Sequence, residues 1–493
     1  MEVKVSAKSL TRRSLLKSVA AAGGAGIAGG LLPGARAAAR PNILLVITDQ
    51  QSSRMLSAAG NPWLRTPAMD SLAHSGVRFA QAYAANPVCL PSRFAMFTGK
   101  YPSAVGVRHN GSKPSAAVND FPQRALGHIM RRAGYETAYG GKVHLPGPMA
   151  RIRECGFDTV VTPNQREELA RLSVDYLHKP HSKPFFLVTS FINPHDICYM
   201  AIRDYAESLK GAAAAENPDG RIALHAPKEL DEALAMPPGI SEKDFFVHRC
   251  PPLPANFEIP KEEPDAIEWL VKERPFREHA RRTWNAERWR RHRWAYCRLT
   301  ERVDGQIHQV LSALDDTGLA GNTVVIFLAD HGDHDSAHRL EHKTTFYEES
   351  ARVPLIVRDP AAHRAGVVVE DVLASTGLDV FPTVCDYGGV EPPAGLQGRS
   401  LRPSVEGKPP ARQRPTLLVE SEIGYMVTDG RYKYAAFDPD KGKRRESLVD
   451  LETDPGEMHN LAAHSGHRSH LLRLRAAMAD WQRQNGVSFE MPV

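Results

Sequence analysis

The sequence predicts an α/β protein: a doubly wound, mostly parallel central sheet flanked by helices, then a smaller α+β C-terminal subdomain carrying an antiparallel sheet. Two observations predict it. Apolar, β-branched runs at Asn42–Thr48 (NILLVIT), Pro184–Ile192 (PFFLVTSFI) and Thr323–Leu328 (TVVIFL) alternate with helix-like stretches, the pattern of buried parallel strands joined by crossover helices. Each run ends in polar residues: Asp49, Asn193-Pro194-His195 and Asp330-His331. Ligands of such sheets bind beyond the carboxyl ends of the strands.

Residues 1–37 come first. Arg12-Arg13 precede a weakly apolar segment, Ser18–Leu32, and then Pro33-Gly34-Ala35-Arg36-Ala37. This resembles a bacterial twin-arginine signal peptide cleaved after Ala37, and a periplasmic or secreted mature protein is expected. The formal net charge of +5 belongs to this leader, where Lys4, Lys8, Arg12, Arg13, Lys17 and Arg36 face Glu2 alone. The remainder is neutral, so charge offers no argument for nucleic acid. A composition of 42% hydrophobic and 24% charged residues excludes a disordered or collagen-like chain. No uninterrupted apolar stretch reaches the roughly 18 residues of a membrane span.

The catalytic domain is expected over 41–395. Helices are expected at Pro67–Ser75, from Pro91 to Gly99, over Phe121–Gly134 and over Trp284–Leu314, and a short strand at Glu136–Tyr139. The Pro-rich, charged stretch 200–283 reads as an irregular insertion that shapes substrate choice. After about residue 395 the pattern changes. Short strands at Thr416–Glu420, Gly424–Thr428, Tyr432–Phe437 and Glu446–Asp450 and a closing helix at Arg468–Asn485 make up the subdomain 396–493. The six cysteines show no CxxC spacing, which argues against structural zinc. Those apart from Cys89 read as buried small apolar side chains.

The segment Cys89-Leu90-Pro91-Ser92-Arg93, continuing to Thr98-Gly99, resembles the CxPSR…TG signature of the type I, formylglycine-dependent sulfatases of the alkaline phosphatase-like superfamily. Further matches follow in order: Asp49-Gln50, Gly141-Lys142-Val143-His144, Asn193-Pro194-His195, Asp330-His331-Gly332-Asp333 and Lys343 before Tyr347-Glu348-Glu349. The resemblance implies that Cys89 is oxidised to 3-oxoalanine (formylglycine) by a formylglycine-generating enzyme, a maturation partner. The hydrated aldehyde then provides one hydroxyl to attack sulfur and a second to expel sulfate. It also implies a divalent cation, held by Asp49, Gln50, Asp330, His331 and the matured Cys89. Calcium is favoured, with Mg²⁺ and Mn²⁺ as alternatives, because imidazole suits Mn²⁺ better than an all-oxygen cage does. Many sulfatases carry Asp at the Gln50 position and Asn at the His331 position. The pattern here resembles phosphonate monoester hydrolases and choline sulfatases.

By the same resemblance Arg93 holds the nucleophile and its neighbours, Lys142 touches the sulfate, His144 touches the hydrate, and His195 and Lys343 flank the ester oxygen. A near-neutral pKa is expected of His195 as proton donor. Asp333 is expected to orient its loop, His338 or Arg339 to face substrate, and Arg108, His109 and Asn110 to line the pocket. The basic run Arg288–Arg293 is expected to be a solvated helix face with packed tryptophans. Asp454-Pro455-Gly456-Glu457 with Asn460-Leu461 is expected to form a turn and a helix docking the subdomain onto the main sheet. The expected activity is hydrolysis of sulfate monoesters, with sulfated small molecules or glycans as substrates. Its rivals are a phosphonate monoester or phosphodiester hydrolase of the same superfamily and a non-catalytic sulfated-glycan-binding protein.

Overall fold

In this computed structural model the described residues are 40–209, 227–409 and 414–492. The leader reading therefore lies outside them. Strand β1 (Asn42–Asp49) is buried along its whole length. Its side chains alternate between two cores, Ile43, Leu45 and Ile47 entering one and Leu44 and Val46 the other. Burying each of these side chains is worth about 1.5–3 kcal/mol, which fixes the strand at the centre of the sheet. The helices Cys89–Thr98, Leu126–Arg132 and Val380–Tyr387 supply the first core. Pro67–Ser75, Glu167–Leu177 and the long helix Ala286–Asp316 supply the second.

The other strands of the chain are β2 (Val77–Phe79), β3 (Ala82–Tyr83), β4 (Glu136–Gly141), β5 (Thr159–Thr162), β6 (Phe185–Pro194), β7 (Thr323–Ala329), β8 (Leu355–Arg358), β9 (Val367–Val369), β10 (Ala374–Ser375), β11 (Leu417–Ser421), β12 (Gly424–Thr428), β13 (Tyr432–Phe437) and β14 (Glu446–Asp450). The eight-stranded sheet runs β5-β4-β6-β1-β7-β8-β2-β9, with only β8 antiparallel to its neighbours. The predicted parallel sheet is thus mixed towards one edge. Strands β11 to β14 form the separate antiparallel sheet in sequence order. Helix Arg468–Asn485 covers one of its faces through Leu471, Leu474 and Met478.

Two expectations needed correction. The described part of 200–283 is mainly helical, at Cys198–Ser208, Lys228–Leu234, Glu242–His248, Asp265–Lys272 and Pro275–Thr283. Three of its prolines sit at helix starts: Pro227 and Pro264 precede helices, and Pro275 opens one, where its missing N–H costs nothing, whereas 251–263, with Pro251, Pro252, Pro254 and Pro260, is irregular as expected. The stretch 121–134 holds only a short helix, Leu126–Arg132, after a 3₁₀ turn at Pro122–Arg124.

Candidate active site

Register assembles the site. Thr48 pairs with Ala329, so Asp49 and Asp330 leave the sheet side by side. Asp49 also pairs with Pro194, which brings His195 to the same edge, and Gly141 pairs with Ser190, placing Lys142 one residue beyond. Gly141 is required there. Its φ is +90°, and a Cβ would lie 2.1 Å from the Ser190 carbonyl oxygen. Lys142 N–H bonds that same carbonyl at 2.9 Å, turning the lysine into the cleft.

Cys89 is the first residue of its helix, two residues earlier than predicted. Val88 before it is extended, and Pro91 falls in the first turn, where proline is tolerated. Its sulfur therefore lies at the positive end of a buried helix. Sγ is 3.0 Å from His331 Nε2, 3.1 Å from Lys343 Nζ and 3.6 Å from Asp49 Oδ1. Burial raises the thiol pKa, but Lys142, Lys343 and His331 outweigh it and hold the pKa well below the usual range.

Arg93, fully buried, organises the cluster. It donates to Asp330 Oδ2 at 2.8 Å, Asp49 Oδ2 at 3.0 Å, Ser190 Oγ at 2.7 Å and the Lys142 carbonyl at 2.9 Å. Lys142 Nζ reaches Asp49 Oδ2 at 2.6 Å. Burial and the Cys89 sulfur push the Asp49 carboxyl up, but Lys142, His195 and Arg93 prevail and hold it below the usual carboxylate range. Burial and the neighbouring Asp49 charge push Asp330 up to about 6.

The donor chemistry fits a divalent cation. Ligand atoms of Asp49, Cys89, Asp330 and His331 lie within 4.8 Å of one another. His331 Nδ1 donates to the Gly332 carbonyl at 2.9 Å, which leaves the Nε2 lone pair for the cluster. Gln50 is beside this set and engaged elsewhere. Its Oε1 accepts from Lys343 Nζ at 2.7 Å and from the Cys198 thiol at 3.0 Å, and its Nε2 donates to Asp333 at 2.6 Å.

His144 and His195 both bear on the Cys89 thiol. Each keeps Nδ1 without a hydrogen-bond partner among the described residues. The near-neutral His195 expected from sequence is not what the structure shows. Burial, Lys343 and Lys142 hold its pKa down to about 4, so its ring is neutral at pH 7 in the free protein. His338 is buried and stacks on Tyr347, ring centroids 3.8 Å apart, while Arg339 pairs with Glu258. Asn110 accepts from the Leu90 N–H at 3.1 Å, bracing the helix start, and Arg108 pairs with Asp438.

The basic run is spent on the protein itself. Arg288 pairs with Asp204, Arg291 with Glu242 and Arg293 with Asp335, while Trp289 and Trp294 are buried. All six cysteines are buried and free. Sequence reasoning missed Ser190, which holds Arg93, and Cys198, which holds Gln50. These two signal nothing alone, and register or packing alone reveals their roles.

Comparison with known proteins supplies the remaining findings. The Sulfatase family model matches residues 41–390, and a model of the C-terminal part of N-sulphoglucosamine sulphohydrolase matches 336–484. A Δ4,5-hexuronate-2-O-sulfatase of Bacteroides thetaiotaomicron is 30% identical over 91% of this chain and 90% of its own. A choline-sulfatase of Rhizobium meliloti is 28% identical over 86% of this chain and 82% of its own. A solved 2-O GAG sulfatase structure superposes with TM-score 0.74 at 27% identity, covering 92% of this chain and 95% of that one. A phosphonate monoester hydrolase of Agrobacterium radiobacter shares the fold, with TM-score 0.68 at 22% identity over 90% and 96% of the two chains.

Proposed function

The chain belongs to the sulfatase family and hydrolyses sulfuric esters; we propose that its nucleophile matures from Cys89, that one divalent cation binds at Asp49, Asp330 and His331, and that its substrates are sulfated carbohydrates. One observation carries this reading. The Cys89 sulfur stands at a buried helix start with Lys343, His331 and Asp49 around it. When present, the matured aldehyde hydrate supplies a geminal-diol nucleophile and the cation neutralises sulfate oxygens.

The chain's own side chains do the rest. Arg93 holds the two carboxylates at fixed separation, so the cage is preorganised. Lys142 and Lys343 present ammonium groups to the sulfate oxygens and offset charge that water otherwise solvates. His195 passes a proton to the departing alcohol oxygen. The incoming sulfate charge counteracts the two lysines that hold this ring neutral, which raises its proton affinity when a proton is needed. His144 accepts the proton lost as sulfate is released.

The twin-arginine-like leader supports an exported, periplasmic or secreted enzyme. Carbohydrate substrates are supported by relatives named for a hexuronate 2-O-sulfate and an N-acetylglucosamine 6-sulfate. Calcium is the favoured ion by resemblance to the family, with Mg²⁺ and Mn²⁺ as alternatives.

Three measurements test the reading. Mass spectrometry of the Cys89 peptide, after coexpression with a formylglycine-generating enzyme, is expected to show the aldehyde. Elemental analysis is expected to find one bound divalent metal, and chelation is expected to remove activity. Sulfate release from a panel of sulfated sugars is expected to exceed hydrolysis of aryl phosphonates. An unmodified thiol in a fully active enzyme would refute the nucleophile, and preference for the phosphonate would replace the substrate class.

A further inference from the structure

Three arginines among the described residues are almost wholly buried: Arg93, Arg277 and Arg281, at 0%, 7% and 7% exposure. Two have carboxylate partners. Arg93 holds Asp49 and Asp330, and Arg281 meets Glu263 at 2.7 Å. Arg277 has no carboxylate within ion-pair distance among the described residues. Its Nε has no hydrogen-bond partner, and Nη2 makes one long contact, 3.5 Å to Thr344 Oγ1. The carboxylate that most offsets its charge, Glu422, is already paired with Arg274 at 3.3 Å.

A buried guanidinium without a counter-ion is costly, and natural chains retain such a charge where a ligand completes it. Its position identifies that ligand's surroundings. Arg277 lies on helix Pro275–Thr283, in the insertion, and its contact Thr344 directly follows Lys343. Its charge bears on Cys198, Asp333 and His342. Cys198 and Asp333 both hold Gln50, which in turn accepts from Lys343 beside Cys89. The loop carrying these contacts is strained, with φ +66° at His342 and +100° at Thr344. The helix thus packs on the loop that carries Lys343, Phe276 against the His342 ring (centroids 4.8 Å apart) and Arg277 against Thr344, with the guanidinium's Nε edge unspent.

We propose that Arg277 is a second anion subsite, which binds an anionic substituent (a uronate carboxylate or a second sulfate) on the sugar that carries the scissile sulfate. The fork of an arginine takes either group bidentately. This rests on the carbohydrate reading above.

The test uses the matured, metal-loaded full chain as wild type, Arg277→Met and Arg277→Lys. Met keeps much of the stem volume, and Lys keeps the charge without the fork. Substrates are a 2-O-sulfated hexuronate disaccharide and its carboxyl-reduced counterpart, which keeps only the sulfate charge; glucosamine 2-N,6-O-disulfate and its N-acetylated 6-O-sulfate counterpart; and a carboxylated aryl sulfate beside 4-nitrophenyl sulfate. Arg277→Met is expected to lose about 10- to 100-fold more kcat/KM on a doubly anionic substrate than on its singly charged counterpart, mainly through KM. Arg277→Lys is expected to restore part of that loss. The melting temperature of Arg277→Met is expected to match or exceed wild type, since an unpaired buried charge has gone.

An extra loss on the uronate assigns the subsite to a carboxylate, and one on the disulfate assigns it to sulfate. Equal losses on doubly and singly charged partners by a folded Arg277→Met would overturn the proposal. A wild type that cleaves aryl but no sugar sulfates would overturn the carbohydrate reading instead, and the two aryl sulfates would still judge Arg277.

Discussion

Two of the buried ion clusters among the described residues differ in one respect. Around Lys433, on β13, all the polar atoms of the cation are used. Nζ meets Glu348 Oε1 at 2.9 Å, the Phe346 carbonyl at 2.9 Å and Glu457 Oε1 at 2.5 Å, and Glu457 also accepts the Glu348 N–H at 2.6 Å. Glu457 is the acid of the Asp454–Glu457 turn, so this cluster docks the C-terminal sheet through the expected turn, while 454–461 forms no helix. Around Cys89 the carboxylates are equally well held by Arg93, but His144, His195 and Arg277 each keep a buried nitrogen without a partner. A saturated cluster joins parts of a fold. A cluster with polar atoms left over awaits a ligand, because leaving those atoms unpaired is costly and persists only where function repays it.

The largest effect separates the two by chemistry. Cys89→Ser changes one atom at the first turn of a buried helix, so folding is expected to survive with an unchanged thermal midpoint. Turnover is expected to fall by about 10³-fold or more, since one hydroxyl cannot both attack and release sulfate. Sulfate release together with a melting curve checks it. Turnover near the wild-type rate would overturn the nucleophile assignment.

The converse test breaks the other cluster. Lys433→Met strands Glu348 and Glu457 in a buried site without their cation. Loss of one partner of such a group costs about 3–5 kcal/mol, read as a lower denaturant midpoint. Activity per folded molecule is expected to persist at low temperature. Activity lost while stability holds would mean that this cluster reaches the chemistry.

Next in size is His195→Ala. A proton donor matters most when the leaving alcohol is a poor one. The variant is expected to lose about 10²-fold on a sugar sulfate and far less on an activated aryl sulfate. Equal losses on both would point to binding or folding.

The sequence made much of this legible, and unevenly. Strands β1, β6 and β7 were plain because burial on both faces forces continuous apolar runs, and their terminal Asp49, His195 and Asp330 followed. Strands β2, β3, β9 and β10 span two or three residues each and exist only through pairing with distant segments. No local pattern marks them. The same holds in the site. Cys89, Arg93, Lys142, His144 and Lys343 sit in readable motifs, and the structure brings them together. Gln50 was read as a ligand, and its amide also meets Lys343, Cys198 and Asp333, contacts that no local pattern announces. Arg277 looked like one arginine among many, and only its burial without a carboxylate distinguishes it. The low His195 pKa likewise depends on burial and on two lysines that arrive from distant segments.

A third kind of buried charge sharpens the comparison at the smallest scale. Glu420, on β11, is fully buried and belongs to neither cluster. It accepts from the Ser103 hydroxyl at 2.5 Å and the Ser103 N–H at 3.0 Å, with no cation in ion-pair distance among the described residues. Burial pushes its pKa from 4.5 up to about 7, Ser103 and Arg108 only partly opposing. The folded state therefore binds the proton more tightly than the unfolded chain. Above pH 7 the cost of a buried carboxylate is fully present, and between 7 and 4.5 stability rises as pH falls. Glu420→Gln removes this dependence. The stability of the variant relative to wild type is expected to be greatest near pH 8 and to decline towards pH 5. Its slope is at most about 1.4 kcal/mol per pH unit. Urea unfolding of both proteins across that range measures the difference. A difference independent of pH would show that hydrogen bonds from Ser103 and the field of Arg108 stabilise the charge as fully as a paired cation does, and that saturation, not ion pairing, is what separates the quiet carboxylates from the poised ones.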